Sequence, residues 1–310
     1  MIEIIAPIAK ELLLKELNKD SFLRTTNKGG NEIYIVNDKN APNVLLEIGR
    51  LRELAFRNSG GGTGMALDLD AEDKGAFAYE QLILWDPDAQ EIIGGYRFIL
   101  CKNALDNNGT YHLSTTHYFD FSQQFIQDFL PYCLELGRSF IQPKYQGKEG
   151  GKKALFSLDN LWDGLGALVV RYPEVKYFFG KVTMYKNFNQ NARDLILAFM
   201  NHKFPDNDQL VKAKPELLAG ISSNTDSFIE EIQALDYKSA YMVLNNRVKD
   251  LGENVPPLIN NYMSLSATMR TFETANNPDF GDVEETGILV TIQDIYPEKS
   301  ERHIQSFLDL

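Results

Sequence analysis

The chain has 310 residues, 44% of them hydrophobic and 24% charged, a globular composition long enough for one large domain or two small ones. A formal net charge of −12 argues against broad nucleic-acid binding, which needs a basic face to displace counterions, and two cysteines, Cys101 and Cys133, are too few for a disulfide framework. A reducing cytoplasm is the simplest setting: MIEIIAPIAKELLLKEL carries acids inside its apolar run, unlike a cleavable signal, and no apolar stretch approaches the roughly 20 residues a bilayer requires.

In chain order, periodicity predicts a helix over residues 7–18 and a short strand in NEIYIVN, Asn31 to Asn37. Val44, Ile48, Leu51 and Ala55 recur at helical spacing, so Val44 to Arg57 reads as a helix stopped by Asn58-Ser59-Gly60-Gly61-Gly62. Tyr79 to Trp85 and Glu91 to Cys101 read as an antiparallel hairpin around DPDAQ. A helical turn over Ser122 to Phe129 and a strand over Tyr132 to Ile141 follow. Leu155 to Arg171 is an amphipathic helix with Leu158, Leu161, Trp162 and Leu165 as core, then come a strand, Lys176 to Thr183, and a helix, Phe188 to Phe204. Residues 206–254 are polar and read as an insertion carrying one helix, Ser227 to Leu251, cut off by Pro256-Pro257 before a closing strand over Gly287 to Ile295. With no internal repeat and weak boundaries, a single domain is expected, its core at about 30–205 and 255–296.

The strand ending at Ile141 opens into QPKYQGKEGG in front of a helix. Amides at Gly147, Gly150 and Gly151, the positive end of the helix dipole, and Lys144, Lys148, Lys152 and Lys153 together suit a phosphate. An ordinary Gly/Lys surface loop is the plainer alternative. Further constellations are Arg52-x-x-x-Phe56, Asp68-x-Asp70-x-x-Asp73, Tyr79-x-Gln81-Leu82, Gly94-Gly95-Tyr96-Arg97 and Glu135-x-x-Arg138. Taken by themselves, the three aspartates read equally as a solvated loop or a cation site, and Glu135 with Arg138 as a structural ion pair. Ser59 to Gly64 lacks the Lys-Ser/Thr of a nucleotide loop and reads as a flexible cover for an acceptor pocket, and His112 with His117 fits no common zinc spacing.

In LRELAFR, LDLDAED, YEQLILW, IIGGYRF and ELGRSFI the chain resembles the acyl-carrier-protein-dependent N-acyltransferases of the GNAT superfamily that make acyl-ornithine and acyl-glycine lipids, often labelled hemolysin-like. The acyl-homoserine-lactone synthases are similar at a greater distance. The resemblance runs from about residue 30 to 205 and resumes at VPPLINNYMSLSA and NPDFGD. The loop from Ile141 to Gly151 resembles the family's pyrophosphate loop, usually Q/R-x-x-G-x-G/A, with glycines one, four and five positions after Gln146. Gln81 stands where ornithine-type members tend to carry histidine, and Ser266 where glycine is usual; LRELAFRNSGGGTG and YEQLILWDP look more like the glycine-lipid branch.

The resemblance implies an α/β GNAT-like fold: a mixed, mostly antiparallel central sheet flanked by helices, with a helical C-terminal insertion. It implies transfer of a long-chain acyl group, 3-hydroxylated or not, from acyl carrier protein to a small amino acid such as glycine. The alternatives are a CoA-dependent acetyltransferase and a non-catalytic lipid- or carrier-binding protein. No metal and no tightly bound cofactor is implied, only an acyl-phosphopantetheine thioester donor met by Gln146, Gly147, Lys148, Gly150, Gly151 and Lys152. The lysines would also receive the acidic carrier protein. Peripheral association with the inner membrane face is compatible with this.

An amine attacks a thioester only when unprotonated, so the site must take a proton, place the nitrogen and stabilise an oxyanion. In the reading the resemblance implies, Glu135, Arg138 and Asp70 are catalytic: Glu135 acts as base, directly or through water, or orients the acceptor amine, and Arg138 pairs with a carboxylate, with an aspartate of 68–73 or a water as the alternative base. Asp68, Asp70 and Asp73 would hold the ammonium, Arg52 or Arg97 would fork onto the acceptor's carboxylate, and Phe56 and Gln81 would complete the pocket. Glu135 and Arg138, three apart, face opposite ways on a regular strand, so a bulge at Gly137 is expected to turn both toward one cleft.

Overall fold

The computed structural model describes residues 1–147 and 150–308; of Lys152 it describes the backbone alone. In chain order the elements are α1 (Lys10–Glu16), β1 (Phe22–Thr25), β2 (Glu32–Val36), α2 (Pro42–Ser59), β3 (Glu80–Asp86), β4 (Glu91–Leu100), β5 (Phe119–Phe121), β6 (Cys133–Ile141), α3 (Gly151–Arg171), β7 (Tyr177–Met184), α4 (Gln190–Lys203), β8 (Val211–Ala213), α5 (Asp226–Ile232), α6 (Tyr237–Asp250), α7 (Pro257–Met263), β9 (Arg270–Asn277) and β10 (Val283–Thr291). A helical tail follows over residues 297–308. These elements form two compact units, one of Met1–Ser114, Tyr132–Lys176 and Tyr296–Leu310, the other of Thr115–Pro131 and Tyr177–Ile295.

In the first unit β1, β2, β3, β4 and β6 lie side by side, each antiparallel to the next. Gly94 and Gly95 permit this closeness, since a Cβ on Gly94 would sit 2.3 Å from the Phe140 carbonyl oxygen and one on Gly95 2.6 Å from that of Leu82. Side chains alternate across β3, so Leu82 meets α3, where Gly164 would clash with it at 2.8 Å if it bore a Cβ, and Gln81 turns to the opposite face, under Arg52 of α2. The apolar stripes do the rest. Val44, Leu45, Ile48, Leu51 and Ala55 of α2 and Leu161, Trp162 and Leu165 of α3 are buried, the large aliphatic ones contributing roughly 1.5–3 kcal/mol each and Ala55 less. α2 begins on Pro42 and stops at Gly60, whose φ of 94° is left-handed.

The expected bulge is present. Gly95 pairs with Phe140 but Arg97 pairs with Gly137, so β6 carries one residue more than β4 between those pairs, and Arg138 takes a φ of 48°.

The C-terminal tail clasps α3. His303 Nδ1 lies 2.8 Å from Asp163 Oδ1, Asn27 Nδ2 donates to the same oxygen at 2.8 Å and to the Arg302 carbonyl at 2.7 Å, and a Cβ on Gly166 would fall 2.0 Å from the His303 carbonyl oxygen.

In the second unit β10 pairs antiparallel with β7 and β9, and β5 with β8. Phe199 of α4 packs against Tyr237 and Tyr241 of α6 with ring centroids 6.0 and 6.3 Å apart. The helix expected over Ser227 to Leu251 is two helices, because Asp236 caps a new one by accepting the Ser239 amide at 2.9 Å. The strands β1, β5, β8 and β9, the helix α7 and the tail were not expected from the sequence, and the closing strand lies four residues earlier than expected, at Val283–Thr291.

Candidate active site

On the α2 face of the first unit's sheet, Gln81, Arg97 and Gly137 sit in one row across β3, β4 and β6. Above them the acidic loop docks onto α2: Asp68 donates its amide to the Gly49 carbonyl at 3.0 Å, and Leu69 lies where a Cβ on Gly49 would be, 2.7 Å from its Cγ. Only glycine there lets the loop close on the helix and lower its carboxylates toward the row.

Asp73 is the hub. Its Oδ1 accepts from Arg52 Nη1 and Gln81 Nε2, both at 3.0 Å, while Oδ2 accepts from the Asp70 amide at 3.1 Å and Arg97 Nη1 at 3.3 Å. Arg52 also donates to Gln81 Oε1. Arg97 reaches Asp70 Oδ1 at 2.6 Å, and Arg138 Nε lies 2.9 Å from Asp68 Oδ2 with Nη2 3.3 Å from Asp70 Oδ2. Glu72 stands 4.0 Å from Arg97. The structure therefore gathers Arg52, Asp68, Asp70, Asp73, Gln81, Arg97 and Arg138 into one network.

Exposure decides which members can meet a ligand. The Arg52 and Arg97 side chains are 0% and 1% exposed, whereas Asp70 keeps 29%, Glu72 18% and Arg138 12%. The expectation that Arg52 or Arg97 forks onto an acceptor thus meets two guanidinium groups already closed from water and turned onto Asp73, Gln81 and Asp70. Three arginines face four carboxylates here, Asp68, Asp70, Glu72 and Asp73, a formal surplus of one negative charge. Burial raises the pKa of the Asp68 carboxyl, which Arg138, Arg52 and Arg97 offset only in part. Burial works against the Arg97 guanidinium, yet Asp73 and Asp70 overcome it and hold its pKa well above the ordinary value.

One step along the same face, Glu135 is 1% exposed and its Oε1 accepts from the Tyr79 hydroxyl at 2.8 Å. The sequence placed Tyr79 in a motif without giving it a task. Phe56, one turn beyond Arg52 on α2, is 7% exposed and belongs to the core. The segment after α2 is no loose cover: the buried Glu53 carboxylate accepts from the Thr63 amide at 3.0 Å, its hydroxyl at 2.8 Å and the Gly64 amide at 2.8 Å. His112 is paired with Asp106 at 3.0 Å and stacked on Phe77.

At the other candidate locus, Gly147 and Gly151 take φ of 76° and 59°, and Gln146 clips the turn to the end of β6 through the Ile141 carbonyl at 2.5 Å. Gly150 is obligatory for space, its Cβ position lying 2.5 Å from Ala154 Cβ and 2.9 Å from Tyr145 Cα. The basic patch expected there is smaller than its lysine count, because Lys144 pairs with Glu91 at 2.6 Å and Lys153 with Asp86 and with Asp88 at 3.0 Å. Lys148 and the Lys152 side chain lie outside the described residues.

The sequence pattern described as acetyltransferase (GNAT) domain matches residues 51–155, which hold most of the acidic and arginine network, Tyr79, Glu135 and the glycine turn. The chain is 51% identical to a glycine N(α)-acyltransferase of Bacteroides thetaiotaomicron over 100% of its own length and 91% of that protein, and 51% identical to one of Phocaeicola vulgatus over 99% and 94%. An L-ornithine N(α)-acyltransferase of Agrobacterium fabrum is 27% identical over 57% of this chain and 51% of that protein. With identity of this extent along the whole chain, and a mostly antiparallel α/β architecture carrying the family's motifs, the chain belongs to the GNAT acyltransferases and is an enzyme of the amino-acid N-acyltransferase kind.

Proposed function

We propose that the chain transfers a long-chain acyl group from the phosphopantetheine thioester of acyl carrier protein to the amine of glycine, the first step in making an aminolipid. The observation that carries the acceptor half is the composition of the network's exposed edge. Asp70 and Glu72 present carboxylates to an ammonium, and Arg138, the most exposed of the three arginines, presents a guanidinium to a carboxylate. A zwitterion with little between its two charges suits that edge, and the full-length identity to glycine acyltransferases points the same way.

In this reading the ammonium is held by the acidic edge and yields a proton to Glu135, directly or through water. The free nitrogen attacks the thioester carbonyl, the carbon–sulfur bond breaks, and the departing thiolate takes up a proton. The bulge at Arg138 takes backbone amides out of the ladder's register, a local means of offering one to the oxyanion. Gln146, Gly147, Gly150, Gly151 and the start of α3 receive the donor's phosphate. Among the described residues no helix is long and apolar enough to cross a membrane.

The test is to incubate purified protein with 3-hydroxyacyl and acyl thioesters of carrier protein, the matching CoA thioesters and a panel of amino acids, and to read products by mass spectrometry. N-acylglycine formed from the carrier-protein thioester is expected. Transfer from acetyl-CoA alone would make it an acetyltransferase, and no transfer to any amino acid would leave a binding protein.

A further inference from the structure

Tyr79 is buried without trace of exposure, yet its hydroxyl sits at a junction of polar groups. The Ser114 amide lies 2.8 Å from the phenolic oxygen, and Glu135 Oε1 lies 2.8 Å from it on the other side. A backbone N–H can only donate, so the phenolic oxygen is the acceptor in the first bond; an ionised carboxylate can only accept, so the phenol gives its own hydrogen in the second. The polarity of the chain is therefore fixed: Ser114 amide to Tyr79, Tyr79 to Glu135. The Arg97 guanidinium lies over the Tyr79 ring, 5.1 Å from its centroid, which holds the ring in that plane and links it to the acidic network.

We infer that Tyr79 is the positioning residue of the acyl-transfer step: its hydroxyl donates to Oε1 of Glu135, fixes the orientation of that carboxylate and favours its proton-accepting form. This rests on the reading that Glu135 handles the amine's proton. Burial and the neighbouring Glu135 charge push the phenol's pKa well above its ordinary value, so Tyr79 stays a donor throughout the working range. Arg97, over the Tyr79 ring, is held charged by Asp73 and Asp70, and the thiols of Cys101 and Cys133 are also close by. Burial, with Cys133 and Glu135 nearby, pushes the Cys101 thiol up and keeps it neutral.

Two variants of Tyr79 test this, each measured for kcat and KM with glycine across pH, beside Glu135→Gln and the Tyr79→Phe, Glu135→Gln double variant. Tyr79→Phe removes one donor from a carboxylate and favours its protonated form. The acid limb of the kcat/KM profile should move up by about one pH unit, kcat should fall by roughly tenfold or more, and the donor KM should stay put. Replacing Tyr79 by 3-fluorotyrosine keeps the packing and strengthens the donor, so the limb should move the opposite way. In the Glu135→Gln background Tyr79→Phe should cost less than about twofold, because the group it positions is gone. An acid limb that stays in place in both Tyr79 variants while Glu135→Gln is crippled overturns the role of Tyr79 alone. Full turnover in Glu135→Gln overturns the base reading itself.

Discussion

Replacing Asp73 by Asn tests whether the buried network is held by one carboxylate. The substitution preserves shape and turns one oxygen into a donor. Whichever way the amide is oriented, its NH2 faces donors: Arg52 Nη1 and Gln81 Nε2 in one rotamer, the Asp70 amide and Arg97 Nη1 in the other. It also strips the ion-pair partner from Arg52, whose side chain is 0% exposed. Breaking a buried pair by removing one charge costs about 3–5 kcal/mol, because the remaining ion keeps its desolvation penalty. Urea unfolding followed by tryptophan fluorescence reads this directly, since both tryptophans, Trp85 on β3 and Trp162 on α3, lie in the first unit. Asp70→Asn, at the network's exposed edge, should cost no more than about 1 kcal/mol by the same assay while raising the KM for glycine. An Asp73→Asn protein within about 1 kcal/mol of the parent would falsify the assignment of Asp73 as hub.

Arg138→Lys keeps the charge and loses the planar fork, so the KM for glycine should rise about tenfold in steady-state assays, with the donor KM unchanged; equal KM values would detach Arg138 from the acceptor. Gly150→Ala drives a methyl into Ala154 Cβ and Tyr145 Cα and should raise the donor KM severalfold, leaving glycine's alone. Asp194 has burial against it, but Arg193, Ser223 and Ser222 more than compensate and hold its pKa at about 2, below the 3.8 of an ordinary aspartate. A lowered folded-state pKa stabilises above the unfolded value and is lost as pH falls through the folded one. Asp194→Asn should therefore remove about 2 kcal/mol at neutral pH, and parent and variant melts should converge as pH drops from about 4 to 2.

Much of the fold was legible because its signals are local. Val44, Ile48, Leu51 and Ala55 mark one helix face, DPDAQ turns one hairpin, and Gly137 sits beside the residue where β6 bulges. Residues 227–251 misled because no glycine or proline interrupts them; the break rests on the Asp236 cap, whose signal, an aspartate three before Ser239, is short. In the site, the sequence singled out Arg52, Asp68, Asp70, Asp73, Gln81, Arg97 and Arg138, which the fold gathers into one network, and could not rank them. Arg52 and Asp73 are 21 positions apart and Arg138 and Asp68 are 70 apart, so nothing along the chain tells that two arginines are consumed internally while a third keeps an edge in water. Tyr79 escaped for the same reason: a tyrosine at a strand's start is an ordinary core residue until Ser114 and Glu135 close on its hydroxyl from 35 and 56 positions away. Lys144 and Lys153 looked basic because their partners Glu91, Asp86 and Asp88 belong to a turn more than fifty residues upstream.

The clasp of the tail on α3 bears on how the chain matures. Asp163 and Asn27 find His303 and Arg302 only after all of the second unit's sequence has been made, for the first unit is interrupted by residues 177–295 and resumes at Tyr296. During synthesis the strands and helices that carry the acidic and arginine network are present early, yet Gly166 and Asp163 of α3 stay uncovered by the tail until it emerges. That strip is the last of the first unit to be covered, and the loop from Asn27 to Arg302 that must close on it spans most of the chain, the most costly kind of contact to form early.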